Sequence, residues 1–205
     1  MKTCKVVLFI SRNKDNKTVK GFKERRMNFL WDADDLPMDE FDDFVSKGVV
    51  GERSRFYISV NARDVEKTKK MLLVKLITDP DVDLTKLQSL VAGLAAKPEN
   101  KAESKWLFDF DSSDKEEQAN FLCDLNSAMQ KEKEAGHIPS DAKVRNHKTL
   151  HGMAYVVTHG FDCRKLLEKW QDKVSLKRDD MLYITSQTKP DSLLMKRIPL
   201  YTMRG

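Results

Sequence analysis

The sequence predicts a mixed fold, α/β in broad class and α+β in detail, with a mostly antiparallel central sheet flanked by helices and an N-terminal αβ extension. Three observations predict it. Residues 4–10, 55–60 and 106–110 are short apolar runs of strand length. The stretches between them carry apolar residues at helical spacing. Strands and helices thus alternate along 205 residues, 40% hydrophobic and 34% charged, which suits one modest core under a charged surface. The chain reads as a single domain, 1–205, with an extension over 1–55, a core over 56–185 and a tail over 186–205.

Residues 4–10 open the chain as a strand. Residues 11–26 set seven cations, Arg12 and Arg25 among them, against Asp15 and Glu24, with Gly21 as a turn. They read as a hairpin tip, a mobile arm or a solvated loop. Acid takes over from Asp32 to Asp43, and Pro37 marks a helix start with Phe41, Phe44 and Val45 as its apolar stripe. After the strand 55–60, Asn61 or Asp64 caps a helix that Pro80 closes. Residues 83–96 read as a further helix through Leu84, Leu87, Val91 and Leu94. The strand 106–110 leads into a long helix from about 114 to 134, ending near Gly136. Residues 148–158 read as one strand and 162–170 as a helix. Two short strands, 174–177 and 181–185, join at Arg178, Asp179 and Asp180. The tail holds Pro190 and Pro199.

The strand from Trp106 to Phe110 carries the chemistry. Side chains alternate across a strand, so Trp106, Phe108 and Phe110 share one face while Asp109 and Asp111 share the other. Two neighbouring carboxylates repel, and burying them is costly without a cation or hydrogen-bond donors. Oxygen ligands at this spacing suit Mg²⁺ or Mn²⁺, which bind one or two carboxylates plus substrate phosphates. A plainer role stands beside this one. Ser113 and Glu116 fit a capping box, with Asp114 complementing the dipole of the next helix.

Composition narrows the function classes. No apolar run approaches the roughly 18 residues that span a bilayer, so no membrane role is expected. Cys4, Cys123 and Cys163 are too few and too scattered for a disulfide framework and fit a reducing cytoplasm. The formal charge of +5 permits a polyanionic partner without demanding one.

Three segments stand in order: the strand ending in Asp109 and Asp111, the run Lys148-Thr149-Leu150-His151-Gly152 leading into a strand, and the turn Lys177 to Asp179 leading into another. That order resembles the short primase-polymerase proteins of the archaeo-eukaryotic primase superfamily carried by bacteriophages and mobile elements. The resemblance covers roughly residues 56–185. It implies an RRM-like catalytic half performing divalent-metal-dependent nucleotidyl transfer, with nucleic acid and a nucleoside triphosphate as partners. Asp109 and Asp111 match the acidic pair that binds metal, and Asp179 or Asp180 matches the third acid. The family's histidine position in the middle segment holds Ala154. His151 lies three residues earlier, on the opposite face of a regular strand, and serves only if the chain turns at Gly152. Lys148 and Arg145 stand near the start of that strand, where cations neutralise phosphates.

Ala154 favours a second reading, an inactive relative that binds nucleic acid or a protein partner as an effector. A third rests on Asp109 to Ser113, which looks like the first motif of haloacid-dehalogenase-type phosphatases and implies a parallel sheet. His147, His151, His159 and Cys163 have spacings acceptable for zinc, but an extended strand between His151 and His159 separates them by roughly 25 Å. Tyr57 and Tyr155 are the aromatic residues best suited to base stacking. Cys163, beside Asp162, reads as packing.

Overall fold

The structure, a computed structural model, describes residues 1–191. In its first half lie β1 (Thr3–Ser11), β2 (Arg25–Trp31), α1 (Met38–Ser46), β3 (Arg53–Ser59), β4 (Arg63–Asp64), α2 (Val65–Thr78) and α3 (Leu87–Ala95). There follow β5 (Trp106–Phe110), α4 (Lys115–Glu134), β6 (Val144–Lys148), β7 (Met153–Val157), α5 (Arg164–Lys169), β8 (Val174–Lys177) and β9 (Met181–Thr188). The fold is α+β, with antiparallel sheets flanked by helices.

The strands form two sheets rather than one. The first has the order β2-β1-β3-β9, with β4 added beside the start of β1. The second has the order β6-β7-β5-β8. Its chain order, β-α-β-β-α-β with every pairing antiparallel, is the split-βαβ arrangement of RRM-like domains. The N-terminal residues are no appendage. β1, β2 and β3 build a sheet that the last strand, β9, completes from the far end of the chain.

Each sheet buries the face its sequence makes apolar. On the first, Val7, Phe9, Phe29 and Phe56 pack beneath Phe41, Phe44 and Val45 of α1. Its opposite face is shared. Ala92 and Ala95 of α3 cover Val6 and Leu30, while the β3–β9 half meets the second sheet through Val60, Leu107, Ala154, Val156 and Leu182. On the second sheet Phe108, Phe110, Tyr155 and Val157 pack against Phe121, Leu125 and Met129 of α4. The cleft between the sheets therefore receives the residues that alternate with these.

The two sheets are clamped where β8 passes into β9. Arg63, 2% exposed, donates from Nη1 and Nη2 to the two carboxylate oxygens of Asp179, each at 2.9 Å. Asn61, fully buried, donates to Asp179 Oδ1 at 3.1 Å and to Lys105 O at 3.1 Å, and accepts from Lys105 N at 2.7 Å. Val60 N donates to Asp180 O at 2.9 Å. One buried amide and one guanidinium thus join the ends of β3, β5 and β8.

Several expectations are corrected. The basic stretch is no free arm but the connection of the β1–β2 hairpin, one of the readings offered for it: a 3-10 turn, Asn13–Asp15, opens it, Arg12 pairs with Asp15 at 3.0 Å, and Arg25 begins β2. Residues 148–158 are not one strand. β6 and β7 form a hairpin turning over residues 149–152, because Thr149 N donates to Gly152 O and Gly152 N donates to Thr149 Oγ1. The helix over 83–96 divides into a 3-10 turn, Leu84–Lys86, and α3. Asp114, not Ser113, caps α4, accepting from the amides of Glu116 and Glu117. Asp64 caps α2 in the same way. Tyr155 is buried, and its hydroxyl donates to Gln118 O. Every strand pair described is antiparallel, so the parallel sheet implied by a haloacid-dehalogenase-type motif is not present there. Of the tail, residues 192–205 lie outside the described residues.

Candidate functional site

β5 delivers Asp109 and Asp111 to the cleft because its other face is committed to the core. Phe108 and Phe110 are fully buried under α4. Register then aligns rows across the second sheet. Asp109 stands opposite Ala154 on one side and Ser175 on the other, and Ala154 stands opposite His147. One row along, Leu107 is flanked by Val156 and Lys177, and Val156 by Arg145. Asp111, just past the strand, is exposed, with its amide held by Lys173 O at 2.8 Å.

The β6–β7 turn closes over the end of β5, and Gly152 is why it can. A Cβ built at Gly152 meets Phe110 O at 1.9 Å and Ser112 N at 2.9 Å. That contact brings His151 beside the carboxylates. Asp109, Asp111, Thr149, His151, Ala154 and Lys177 line one cavity of about 170 Å³, together with Arg55, Tyr57, Met181 and Tyr183 of the first sheet. The chain turns at Gly152, the condition under which His151 joins the acidic pair.

A lysine already occupies the negative corner. Lys177 Nζ donates to Asp109 Oδ2 at 2.9 Å and lies 3.5 Å from Asp180 Oδ2. Burial works against the ammonium. The hydrogen bond and charge of Asp109, then those of Asp180, prevail and hold its pKa above the ordinary lysine value. Across the cavity, Arg55 Nη2 donates to Asp15 Oδ1 at 2.5 Å while its buried Nε has no partner among the described residues. Tyr57 and Tyr183 meet edge to face, ring centroids 5.7 Å apart, at the cavity wall.

The sequence-predicted residues separate into groups. Asp109, Asp111 and His151 converge in the cavity. Asp180 reaches its edge through Lys177. Asp179, assigned as third acid, has both oxygens bound by Arg63 and ties the sheets together. Lys148 falls in the row of Met153, Phe110 and Val174, which pack toward the helices, so it lies on the face opposite the carboxylates. Arg145 faces the cleft but lines the neighbouring pocket. Arg55 and Tyr183 were not legible as site residues, since their strands belong to the other sheet. Lys177 was legible only as a cation beside Asp179.

Asp109 and Asp111 fit a hard divalent cation that takes the rest of its oxygens from phosphates and water. Among the described residues no group of three or more His, Cys, Asp or Glu side chains gathers that could hold a metal. No helix described is long and apolar enough to cross a membrane. Comparison with protein-family models, curated proteins and solved structures finds no match to this chain.

Proposed function

We propose that this protein is a nucleic-acid-associated nucleotidyltransferase of the minimal primase-polymerase kind, acting in a phage-type cytoplasmic setting. The observation that carries the reading is the convergence of Asp109, Asp111 and His151 in one cavity between the sheets. Mg²⁺ or Mn²⁺ on the carboxylates would supply charge neutralisation and Lewis acidity at a transferring phosphoryl group. The chain's own residues do the rest. Lys177 holds Asp109 in place and offers an ammonium to phosphate. His151 presents an imidazole from a turn fixed by Gly152. Tyr57 and Tyr183 offer aromatic surface to a base. The three cysteines are free, in keeping with a reducing compartment.

A second reading, a binder without catalysis, is favoured by Ala154 in the central row and by the lysine on Asp109. A titration of Mn²⁺ with and without nucleoside triphosphate tests both. The leading reading expects saturable Mn²⁺ binding, tightened by triphosphate and abolished in Asp109→Asn/Asp111→Asn with the fold retained. Triphosphate binding indifferent to Mn²⁺ and to those substitutions would establish the binder. No binding of either would remove the nucleotide reading.

A further inference from the structure

Beyond the carboxylate cavity the same cleft opens into a second pocket of about 560 Å³, lined by Lys5, Lys105, Arg145 and His147 with Ser59 and Thr158. The two pockets share Leu182 and are separated by an apolar saddle of Leu107, Ala154 and Val156. Register fixes the relation. His147, Ala154 and Asp109 stand in one row, so the histidine and the carboxylate are two strand spacings apart, about 10 Å.

The pocket keeps a surplus of positive charge. Glu103 lies 2.7 Å from Lys105 Nζ and 3.6 Å from Lys5 Nζ, and so offsets one of the two ammonium groups. The Arg145 side chain is exposed and makes no hydrogen bond or ion pair with any described residue. Its guanidinium donors are uncommitted. His147 spends one ring nitrogen, Nε2, at 3.3 Å from Ile184 O, and its other nitrogen has no partner among the described residues. Uncommitted donors in a basic groove, joined by an apolar saddle to aromatic side chains, are the parts by which proteins track single strands. The volume suits a nucleotide or two and is far too small for a duplex.

We propose that this pocket holds the phosphodiester backbone of a single-stranded nucleic acid whose end lies over Asp109 and Asp111, an inference that rests on the nucleotide chemistry proposed above. Arg145 is its principal phosphate contact. Because Arg145 is exposed and unpaired, replacing it leaves the fold intact.

The test is fluorescence anisotropy of a labelled oligothymidylate with wild type, Arg145→Ala and Arg145→Glu, between about 50 and about 200 mM salt. The wild type is expected to bind with strong salt dependence. Arg145→Ala should reduce the log–log salt slope by about 0.7, the share of one single-strand phosphate. Arg145→Glu should weaken binding at least about tenfold. Mn²⁺ and triphosphate binding should stay at the wild-type level in both variants, which separates this groove from the carboxylate site. Wild-type protein that binds Mn²⁺ and triphosphate but no oligonucleotide would overturn the inference and leave the nucleotide reading standing. Oligonucleotide binding with affinity and slope unchanged in Arg145→Glu would also overturn it, placing the strand elsewhere.

Discussion

Asp179 accepts both terminal nitrogens of the Arg63 guanidinium at 2.9 Å, in a pair of which the arginine is almost wholly buried. An acid in a site-like position is thus a structural clamp, since it joins the β8–β9 turn to the end of the first sheet. Removing one partner of a buried pair strands the other charge. Asp179→Ala is expected to cost roughly 3–5 kcal/mol. Urea denaturation checks it, and a loss under about 1 kcal/mol would mean that the pair lies effectively at the surface.

The lysine on Asp109 makes a prediction of opposite sign. Lys177 Nζ competes with any cation for Asp109 Oδ2. Lys177→Met is expected to raise affinity for Mn²⁺ alone, measured calorimetrically; lower affinity would show that the ammonium orders the site rather than blocking it. The folded-state pKa of Lys177 is raised, so its contribution to stability is complete below the ordinary value of 10.5 and fades only as pH rises through the higher folded value. This pair should therefore add a constant stabilisation, and no pH dependence, between neutral pH and pH 9.

Gly152 is the hinge point of the site. A methyl group there runs into Phe110 O, a backbone atom with little room to yield. Gly152→Ala is expected to destabilise by about 1–3 kcal/mol and to move the 149–152 turn off β5. Paired readouts, thermal melting and Mn²⁺–triphosphate affinity, should both fall. A variant with wild-type melting would show that the turn has slack.

Ala154 tests what the missing histidine means. Its side chain is 2% exposed, packed with Val60 and Leu107 where the sheets meet. Ala154→His places a large polar ring in that seam and is expected to cost about 1–3 kcal/mol in chemical denaturation without gaining nucleotide binding. A stable variant with new triphosphate affinity would mean that the sheets part easily and that an eroded site has been restored.

Acid sensitivity should come in part from the first sheet. Glu52, 2% exposed, is raised by burial, but Ser11, the Val49 amide and Arg25 bring its carboxyl below the usual 4.5. Arg25 Nη2 sits 2.5 Å from Glu52 Oε1 and its guanidinium lies over the Phe44 ring. A depressed carboxyl contributes stability that is present above 4.5 and lost as pH falls through the folded value. Glu52→Gln should cost roughly 1.5–3 kcal/mol at pH 7. Its loss of stability on acidification should also be shallower than that of the wild type. Parallel pH curves would assign the acid sensitivity to other groups.

The alternation of Phe108 and Phe110 with Asp109, the stripe of Phe41, Phe44 and Val45 after Pro37, and the long helix of residues 115–134 were legible in the chain. These are local: period, composition and caps act within a few residues. β2 was masked by the basic stretch it closes: Met27, Phe29 and Trp31 keep a period of two, but Arg25 and Arg26 belong to a run of cations that reads as a charged connection until Arg25 has its partner in Glu52.

By itself the sequence determined the α+β class, most element positions and which face of β5 carries the acids. Only the tertiary structure decided that there are two sheets, that β9 crosses to the first, that Lys148 turns away and that Asp179 serves Arg63. It also decided that His151, Arg55 and Tyr183 line one cavity with Asp109. The physical reason is that strand pairing and buried ion pairs join residues far apart in the chain, and no periodicity within one segment encodes which distant segment will satisfy its hydrogen bonds and charges.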